Sequence, residues 1–257
     1  MSGRLTGKSA VVTGGSSGIG KAIVTLFAQE GARVACIASA DRAKAQAVAD
    51  EAGKVAGEIK PFFADVSRWN EAERLIGEVN NAFGGIDILV TAAGLFIPTP
   101  IGTRAQTDTE QMIAVNLLGT IAMIDAVVPI MKKRGSGKIV SIASIAGLVG
   151  IGNYSTYCAT KAGVIGLVKA LAIELAPLGI NINAIAPGNT ETPINEDIRT
   201  KPELRHVYDL MKSRTPSKRV YSKAEDMAKA ALYLSSGDSV AMYGSTMVLD
   251  EGLTAGL

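Results

Sequence analysis

A tyrosine and a lysine four residues apart, Tyr157 and Lys161, are the residues of this chain whose types and spacing most directly suggest chemistry. Positions four apart share one face of a helix, so the phenol and the ammonium can lie close together. A free tyrosine has a pKa of about 10, and a neighbouring cation favours its ionised form. With Ser144 upstream, the pair can form a site for general acid–base catalysis. Alone, the pair also fits a half-buried aromatic side chain beside a solvated charge.

A glycine-rich segment, Thr13-Gly14-Gly15-Ser16-Ser17-Gly18-Ile19-Gly20, directly follows the first predicted strand and leads into a helical pattern. Glycines let the backbone turn tightly and approach a pyrophosphate without an intervening Cβ atom. The amide groups and the positive end of the following helix favour an anion. The spacing is Gly-x-x-x-Gly-x-Gly, and its place between a strand and a helix predicts nucleotide binding rather than a plain tight turn.

Short apolar runs alternate with longer amphipathic segments from one end of the chain to the other. This alternation predicts an α/β fold with a doubly wound, Rossmann-type parallel sheet and helices on both faces. The seven predicted strands are residues 9–13, 33–38, 60–64, 88–91, 138–142, 181–185 and 246–249. The predicted helices are residues 19–29, 42–51, 69–83, 109–131, 155–176, 203–212 and 223–234, with Pro177 and Gly179 as the stop of the fifth.

No linker, repeat or low-complexity run divides the 257 residues, so we predict a single domain over 1–257. Its cofactor-binding part is expected over about 1–140, and its catalytic and substrate-binding part over about 141–257. Between the sixth and seventh strands the regular alternation breaks. Long insertions at the carboxyl edge of a parallel sheet are typical of substrate loops, so we expect a lid over about 188–219.

The composition excludes several classes of protein. Hydrophobic residues make up 47% and charged residues 19% of the chain, which indicates a compact globule. The net charge of +2 and the lack of a long basic run argue against nucleic acid as a partner. Two cysteines and one histidine give neither a disulfide framework nor a zinc signature, so no metal site is predicted. Apolar stretches are interrupted, for example by Asp125, and no signal peptide is evident. We therefore expect a cytoplasmic protein without a membrane span.

Taken together, these motifs resemble the short-chain dehydrogenase/reductase family in order and over nearly the whole chain. Thr13 to Gly20 matches the family's glycine pattern, and Asn116, within Val-Asn-Leu-Leu-Gly, matches its catalytic asparagine. Ser144 matches its serine, and Tyr157 and Lys161 match its tyrosine and lysine. The segment Pro187-Gly188-Asn189-Thr190-Glu191-Thr192 matches the family's Pro-Gly segment after the sixth strand.

The resemblance implies hydride exchange between a nicotinamide and a carbonyl or alcohol carbon. Tyr157 would act as the general acid in reduction, and Lys161 would lower its pKa and bind the nicotinamide ribose. Ser144 would hydrogen-bond the substrate oxygen, and Asn116 would hold a water that connects Lys161 to a proton path. The implied cofactor contacts are Gly14, Ser16, Ser17, Gly18, Ile19, Gly20, Ser39, Asp65, Val66, Ala92, Ala93, Gly94, Tyr157, Lys161, Pro187, Gly188, Thr190 and Thr192.

One position departs from the family pattern. The fourth strand usually ends in asparagine followed by small residues, but here the sequence is Thr91-Ala92-Ala93-Gly94. The small residues that admit the cofactor are kept. The local hydrogen bonding beneath the cofactor is therefore expected to differ.

The end of the second strand discriminates between the two nicotinamide cofactors. An acidic residue there favours NAD, because it bonds the ribose and repels a 2′-phosphate. Here Ala38 stands at that position, Ser39 can donate to a phosphate, and Arg42 either adds positive charge or is solvent-exposed. Asp41 is interpreted as a helix cap, and Ser17 stands where NADP-dependent relatives often carry a basic residue. We predict NADP(H) in preference to NAD(H).

The expected substrate is a small neutral, moderately hydrophobic ketone or secondary alcohol. The predicted pocket is largely apolar and comprises Leu95, Ala146, Leu148, Ile151 and Tyr154. The alternative is that these residues pack against the lid or a neighbouring subunit. We predict an NADPH-dependent carbonyl reductase, with a 3-oxoacyl-[acyl-carrier-protein] reductase or a sugar-alcohol dehydrogenase as alternatives. An epimerase or dehydratase and a cofactor-binding sensor without turnover are further alternatives. The resemblance also implies a homotetramer, paired through the helices at 109–131 and 155–176. The apolar character of residues 248–257 predicts a further interface there.

Overall fold

The fold is described by a computed structural model that covers residues 3–39 and 42–256, so the predicted cap at Asp41 lies outside the described residues. Seven strands form one parallel sheet in the order β3-β2-β1-β4-β5-β6-β7. The predicted Rossmann-type architecture is confirmed. The strands are β1 (Ser9–Thr13), β2 (Arg33–Ala38), β3 (Glu58–Phe63), β4 (Ile88–Thr91), β5 (Gly137–Ile142), β6 (Ile180–Pro187) and β7 (Thr246–Leu249).

Helices cover both faces of the sheet, because successive strand residues point to opposite sides. On one face, Val11 packs with buried residues of the third, fifth and sixth helices. On the other face, Val12 packs with the first and ninth helices, around Phe27 and Met227. The helices are α1 (Gly18–Gln29), α2 (Arg42–Ala52), α3 (Trp69–Phe83), α4 (Gln106–Ile113), α5 (Gly119–Arg134), α6 (Ser155–Leu175), α7 (Glu196–Thr200), α8 (Arg205–Arg214) and α9 (Ala224–Ser235).

The long helix predicted over 109–131 is longer than expected and is not uniform. It runs from Gln106 to Arg134, and a π-helical turn at Ala114–Leu118 separates α4 from α5. Gly135 ends it in a left-handed conformation, which is typical of a helix C-terminus. Single π-helical turns are rare and frequently lie at functional sites. This turn contains Asn116, and apolar periodicity alone does not reveal a change of helical type.

The same long helix meets the length and hydropathy criteria of a membrane span, with a mean hydropathy of 2.0 over its most apolar window. Asp125 therefore does not interrupt it as the sequence suggested. In the structure α5 packs on the sheet, where Met123, Ile124 and Val127 are fully buried in the core. Core helices of this kind commonly meet the same criteria.

The segment between β6 and α9 holds two helices where the sequence predicted one. The short helix α7 was missed, and α8 begins two residues later than expected, after a single 3₁₀ turn at Pro202–Leu204. Five residues give too short a periodic signal for α7 to be identified from sequence.

The order of the strands creates the crevice at which a site can form. β1 lies between β2 and β4, so the connections leaving β1 and β4 turn to opposite faces. In such sheets ligands bind beyond the carboxyl ends of the strands at this switch point. The residues that follow β1, β4, β5 and β6 are the ones that the sequence singled out.

Candidate active site

Ser144 and Tyr157 lie in contact at the carboxyl end of β5. Ser144 precedes a 3₁₀ turn at Ile145–Gly147, and its Oγ atom accepts a hydrogen bond of 3.1 Å from the backbone N–H of Ala146. The side chains of Ser144 and Tyr157 are themselves hydrogen-bonded. Since the serine oxygen already accepts from the turn, its own proton is directed toward a partner such as the phenol or a substrate oxygen.

The protein environment alone does not ionise Tyr157. Burial raises the pKa of the Tyr157 phenol above its ordinary value, and the Ser144 hydrogen bond partly offsets that effect. Cys158 adds a smaller effect that raises the pKa further. The phenol is thus held as a proton donor.

Lys161 is buried one helical turn beyond Tyr157. Its side chain is 5% exposed, and its Nζ atom donates a hydrogen bond of 2.8 Å to the carbonyl of Ile142. The Nζ atom lies 5.7 Å from the centroid of the Tyr157 ring. Burial lowers the pKa of the Lys161 ammonium from 10.5 to about 8. A buried cation therefore stands beside the phenol without a carboxylate to neutralise it in the part of the chain that the structure describes.

This buried cation has a measurable cost in stability. The folded state binds the Lys161 proton more weakly than the unfolded chain does, so stability rises as pH increases from about 8 toward 10.5. We expect Lys161→Met to have a higher free energy of unfolding than the wild type at pH 7, by about 2 kcal/mol after the lost Ile142 hydrogen bond is subtracted. That difference should shift by about 3 kcal/mol, in favour of the wild type, between pH 7 and pH 10.5.

Urea unfolding of both proteins at the two pH values measures this difference. Lys169→Met, at an exposed position of the same helix, is the matched control and should show no comparable pH dependence. A Lys161→Met difference that is independent of pH would contradict the assignment.

Asn116 connects the π-helical turn to the end of β4. Its Nδ2 atom donates to the carbonyl of Leu95 at 2.9 Å, and its Oδ1 atom accepts from the N–H of Leu95 at 2.7 Å. A Cβ atom added to Gly94 would lie 3.5 Å from Asn116 Oδ1 and 3.7 Å from Lys161 Nζ. Asn116 and Lys161 therefore face the same small space above an exposed glycine.

The glycine-rich turn after β1 forms a close-fitting cradle. Gly14 has a φ of 64°, and an added Cβ atom would lie 2.9 Å from the backbone of Ala93. A Cβ atom at Gly20 would lie 2.2 Å from the carbonyl oxygen of Gly14, so the start of α1 requires glycine there. Thr13 accepts hydrogen bonds from the N–H groups of Ala92 and Ala93 through its Oγ1 atom, at 3.0 and 3.1 Å. The turn after β1 is thereby joined to the one after β4.

An open cavity of about 520 Å³ lies beside this turn, at the end of β2. Ser16, Ser17, Gly18 and Ser39, four of the predicted cofactor contacts, line it. Two lysines that the sequence reading missed also line it, Lys21 of α1 and Lys44 of α2, together with Glu51. Lys21 Nζ lies 2.5 Å from Glu51 Oε2. The one signal in the sequence was the position of Lys21, four residues after Ser17 on the same helical face.

Arg42 does not line this cavity. Its guanidinium carbon lies 4.5 Å from the centroid of the Phe63 ring, at the end of β3. The lysines that line the cavity are Lys21, which is paired with Glu51, and Lys44. Arg42 is solvent-exposed, which is one of the two alternatives that the sequence left open.

Asp65 and Thr91 both make local hydrogen bonds. The Oδ1 atom of Asp65 accepts from the N–H and the hydroxyl of Ser67 at 3.0 and 2.6 Å, which forms a turn after β3. Val66 beside it packs against Gly119, where an added Cβ atom would lie 2.8 Å from the Val66 carbonyl oxygen. Thr91 donates to Ser141 at 3.0 Å across the β4–β5 pair. The hydroxyl group of Thr91, the residue that departs from the family pattern, thus has its hydrogen-bond partner within the sheet.

The segment after β6 turns back over the crevice. Gly188 lies against Asp250, where an added Cβ atom would be 2.8 Å from the Asp250 Cα atom. Thr190 pairs with Ser222 in a short parallel bridge. The Thr192 side chain lies 3.2 Å from the Cβ position of Gly18. Thr192, at the end of this segment, therefore stands next to the glycine turn.

An aromatic stack adjoins the Tyr157 ring, and the sequence did not reveal it. Phe96 stacks on Tyr154 with ring centroids 4.1 Å apart and planes 4° from parallel. Phe96 also meets Tyr157 nearly perpendicularly, with centroids 4.8 Å apart. One face of Tyr154 is therefore covered by Phe96. Phe96 and Tyr154 lie 58 positions apart in the chain, so only the tertiary structure brings their rings together.

The other predicted pocket residues differ in their solvent exposure. Leu148 is 47% exposed, Ile151 is half-buried, and Ala146 is only 2% exposed beneath its turn. Leu95 contributes its backbone to the pair with Asn116. Leu148 is thus an exposed apolar residue four positions after Ser144.

A parallel sheet with a glycine turn at its switch point and a Ser–Tyr–Lys cluster above it defines a Rossmann-type oxidoreductase. The family model described as short chain dehydrogenase matches residues 8–203, and the chain belongs to that family. The protein is an oxidoreductase that acts on CH–OH groups. Members of the family use NAD(P).

Similar proteins span several substrates. The chain is 36% identical over 250 residues to the 3-oxoacyl-[acyl-carrier-protein] reductase of Thermotoga maritima, covering 97% of this chain and 99% of that one. It is 36% identical over 253 residues to glucose 1-dehydrogenase of Gluconobacter oxydans, covering 98% and 93%. Among solved structures, levodione reductase is similar with a TM-score of 0.92 and 31% identity, covering 98% and 100% of the two chains.

Proposed function

We propose that this protein is an NADPH-dependent carbonyl reductase for small, moderately hydrophobic ketones. The observation that carries the proposal is the cluster of Ser144, Tyr157 and Lys161 at the crevice, with the phenol kept protonated and a buried cation one helical turn away. The division into a cofactor-binding part (1–140) and a catalytic part (141–257), with 188–219 as a lid, belongs to the same proposal. A cytoplasmic location is part of it too.

The glycine turn supports the binding of a nicotinamide dinucleotide in the crevice, because its backbone is free of side chains where a pyrophosphate would approach. The turn at Gly14, Gly18 and Gly20 would hold the pyrophosphate against the start of α1. Ala92, Ala93 and Gly94 would pass beneath the cofactor, and the segment from Pro187 to Thr192 would hold the carboxamide. The bound cofactor supplies a hydride.

The protein's own residues would manage the proton that accompanies that hydride. Ser144 would donate a hydrogen bond to the carbonyl oxygen of the substrate, where negative charge develops during reduction. Tyr157 would transfer its phenolic proton to the resulting alkoxide. Lys161 would stabilise the phenolate that is left, because an opposite charge nearby favours the ionised form. Asn116, which faces the same space as Lys161, would order a water that returns a proton to Tyr157.

The preference for NADPH rests on the charge at the end of β2. Two lysines and three serines line the cavity there, and Glu51, which pairs with Lys21, is the one carboxylate on its described wall. Ala38 leaves no carboxylate on the strand end to repel a phosphate. A 2′-phosphate would thus find Lys21, Lys44 and the hydroxyl groups of Ser17 and Ser39.

The substrate class follows from the walls of the crevice. Leu148 and the Phe96–Tyr154 stack are apolar and lie near the catalytic serine and tyrosine. Such walls favour a ketone that carries an aryl or branched alkyl group over a polyhydroxylated sugar.

The decisive experiment follows the loss of reduced-cofactor absorbance with a panel of carbonyl substrates. The panel holds an aryl ketone, an acetoacetyl thioester and a keto sugar, each with NADPH and with NADH. Turnover of the aryl ketone with NADPH at the highest kcat/KM would support the proposal. Better turnover of the thioester or the sugar would replace the substrate class, and cofactor binding without any turnover would favour a sensor.

Phe96 is expected to position the catalytic tyrosine through its ring contact. Leucine at this position removes the stack on Tyr154 and the edge contact with Tyr157, each worth about 0.5–1.5 kcal/mol. We expect Phe96→Leu to lower kcat for the aryl ketone by about tenfold while the Kd for NADPH changes little. Steady-state kinetics and cofactor titration measure both. Phe62→Leu breaks a comparable aromatic pair, with Phe83, away from the crevice, and should leave kcat unchanged.

A homotetramer is the proposed assembly. Support comes from apolar side chains exposed on the helices that the family resemblance assigns to subunit pairing. Ile113 is 38% exposed and Leu118 44%, and Ile173 of α6 is 80% exposed. Val248 of the edge strand β7 is 41% exposed, close to the proposed second interface at 248–257, of which residue 257 lies outside the described part.

A further inference from the structure

A second cavity, of about 800 Å³, lies between the α7–α8 segment and residues 218–221. We call it the lid groove. Ser144, Tyr157 and Lys161 do not line it, and neither does the glycine turn. Its basic lining residues are Arg199, Lys201, Arg205, Lys218 and Arg219, and the one acidic residue among its described lining is Glu191.

Three of these five cations are neutralised by nearby carboxylates. Lys201 lies 2.9 Å from Asp197, and Arg205 lies 3.1 Å from Asp209. Arg219 pairs with Glu251 and lies 3.2 Å from Asp226. These ion pairs cancel most of the charge of the groove but not all of it.

The other two cations, Arg199 and Lys218, have no carboxylate within ion-pair distance among residues 3–39 and 42–256. Arg199 donates only to neutral acceptors, the Oδ1 atom of Asn195 at 3.1 Å and the carbonyl of Thr192 at 3.2 Å. These bonds orient the guanidinium without cancelling its charge. Lys218 has a φ of 65°, a left-handed conformation that favours glycine. Strained residues of this kind cluster at ligand sites.

The wall of the groove adds an aromatic surface to this charge. Tyr208 and Tyr221 lie with ring centroids 6.2 Å apart, and the guanidinium carbon of Arg205 lies 5.0 Å from the Tyr208 centroid. Such a wall can accept the organic part of a ligand whose charged group meets the cations.

We propose that the lid groove binds the phosphate group of a small organic phosphate, with Arg199 and Lys218 as its principal ligands. Arginine presents paired donors that match phosphate oxygens, and lysine adds a compact charge. Arg199 belongs to α7 and Lys218 to the loop between α8 and α9, so the phosphate would bridge two parts of the lid. The site lies outside the cofactor crevice and does not require the reductase chemistry.

Isothermal titration of the full-length protein with pyrophosphate, at an ionic strength held constant with chloride, tests the proposal. Lys218→Gly removes the charge and suits the left-handed backbone, so it should fold normally and weaken binding by about tenfold. Glu191→Gln removes the one carboxylate of the lining and should strengthen binding severalfold. A folding defect cannot produce these opposite effects. Lys212→Gln, on α8 but outside the groove, is the control and should bind as the wild type does.

Two results would overturn the proposal. One is the lack of saturable pyrophosphate binding by the wild type. The other is binding that Lys218→Gly and Glu191→Gln leave unchanged but that Lys21→Gln abolishes, since the anion would then occupy the cofactor crevice. The ketone-reduction assay reports separately on the proposed reductase activity.

Discussion

Tyr157→Phe is expected to lower kcat for ketone reduction by a factor of about 10² to 10⁴, the range that general acid catalysis contributes. Phenylalanine keeps the ring and its contact with Phe96 but lacks the hydroxyl that bonds Ser144. Reduction would then lack its proton donor, because the neighbouring Lys161 is held by the carbonyl of Ile142. Steady-state kinetics with NADPH and the best ketone of the panel measure the loss, and fluorescence titration measures cofactor affinity.

The loss should appear in kcat with little change in the Kd for NADPH. Tyr233→Phe is the matched control, because Tyr233 belongs to α9, is half-buried and packs against the core cluster that contains Phe27 and Met227. It should retain the activity of the wild type. A decrease of less than tenfold in Tyr157→Phe would show that another group supplies the proton, and the assignment of the phenol would be wrong.

Ala38→Asp is expected to reverse the preference between NADPH and NADH. The new carboxylate would stand in the cavity with Ser39, where it can bond a ribose hydroxyl and repel a 2′-phosphate. Two unit charges about 4 Å apart near a protein surface interact by about 4 kcal/mol. We therefore expect kcat/KM for NADPH to fall by about 100-fold or more, while kcat/KM for NADH falls little or rises.

Ala38→Asn distinguishes the effect of the new charge from the effect of the larger side chain, because asparagine is close in size to aspartate but uncharged. Ala38 is only 4% exposed, so either substitution crowds the strand end by a similar amount. The asparagine variant should lower kcat/KM for both cofactors to a similar extent and keep the ratio of the wild type. An equal change of ratio in both variants would show that shape, and not charge, sets the selectivity at this position.

The fold could be predicted from the sequence to a large extent. Strands β1, β2, β4 and β7 have the predicted bounds, because each is a short apolar run closed by residues that end a strand. The predicted glycine turn lies where β1 leads into α1. The π-helical turn at Ala114–Leu118 and the short helix α7 were missed, since neither changes the apolar pattern over enough residues to be recognised.

The candidate site, like the fold, could be predicted from the sequence only in part. The order and spacing of Asn116, Ser144, Tyr157 and Lys161 were enough to identify the family. Spacing along a helix also implied that Tyr157 and Lys161 lie together. It did not reveal that burial lowers the pKa of Lys161 to about 8, because burial depends on the strands and loops that enclose the side chain.

By itself, therefore, the sequence determined the family, the sheet and the identity of the residues at its carboxyl edge, because those depend on local patterns and on short separations along the chain. Only the tertiary structure decided which side chains meet across long separations. Phe96 meets Tyr157, Lys21 and Lys44 share a cavity at the end of β2, and Arg199 and Lys218 both line the lid groove. Parallel strands joined by crossovers bring such residues together, and no local pattern records which of them will be neighbours.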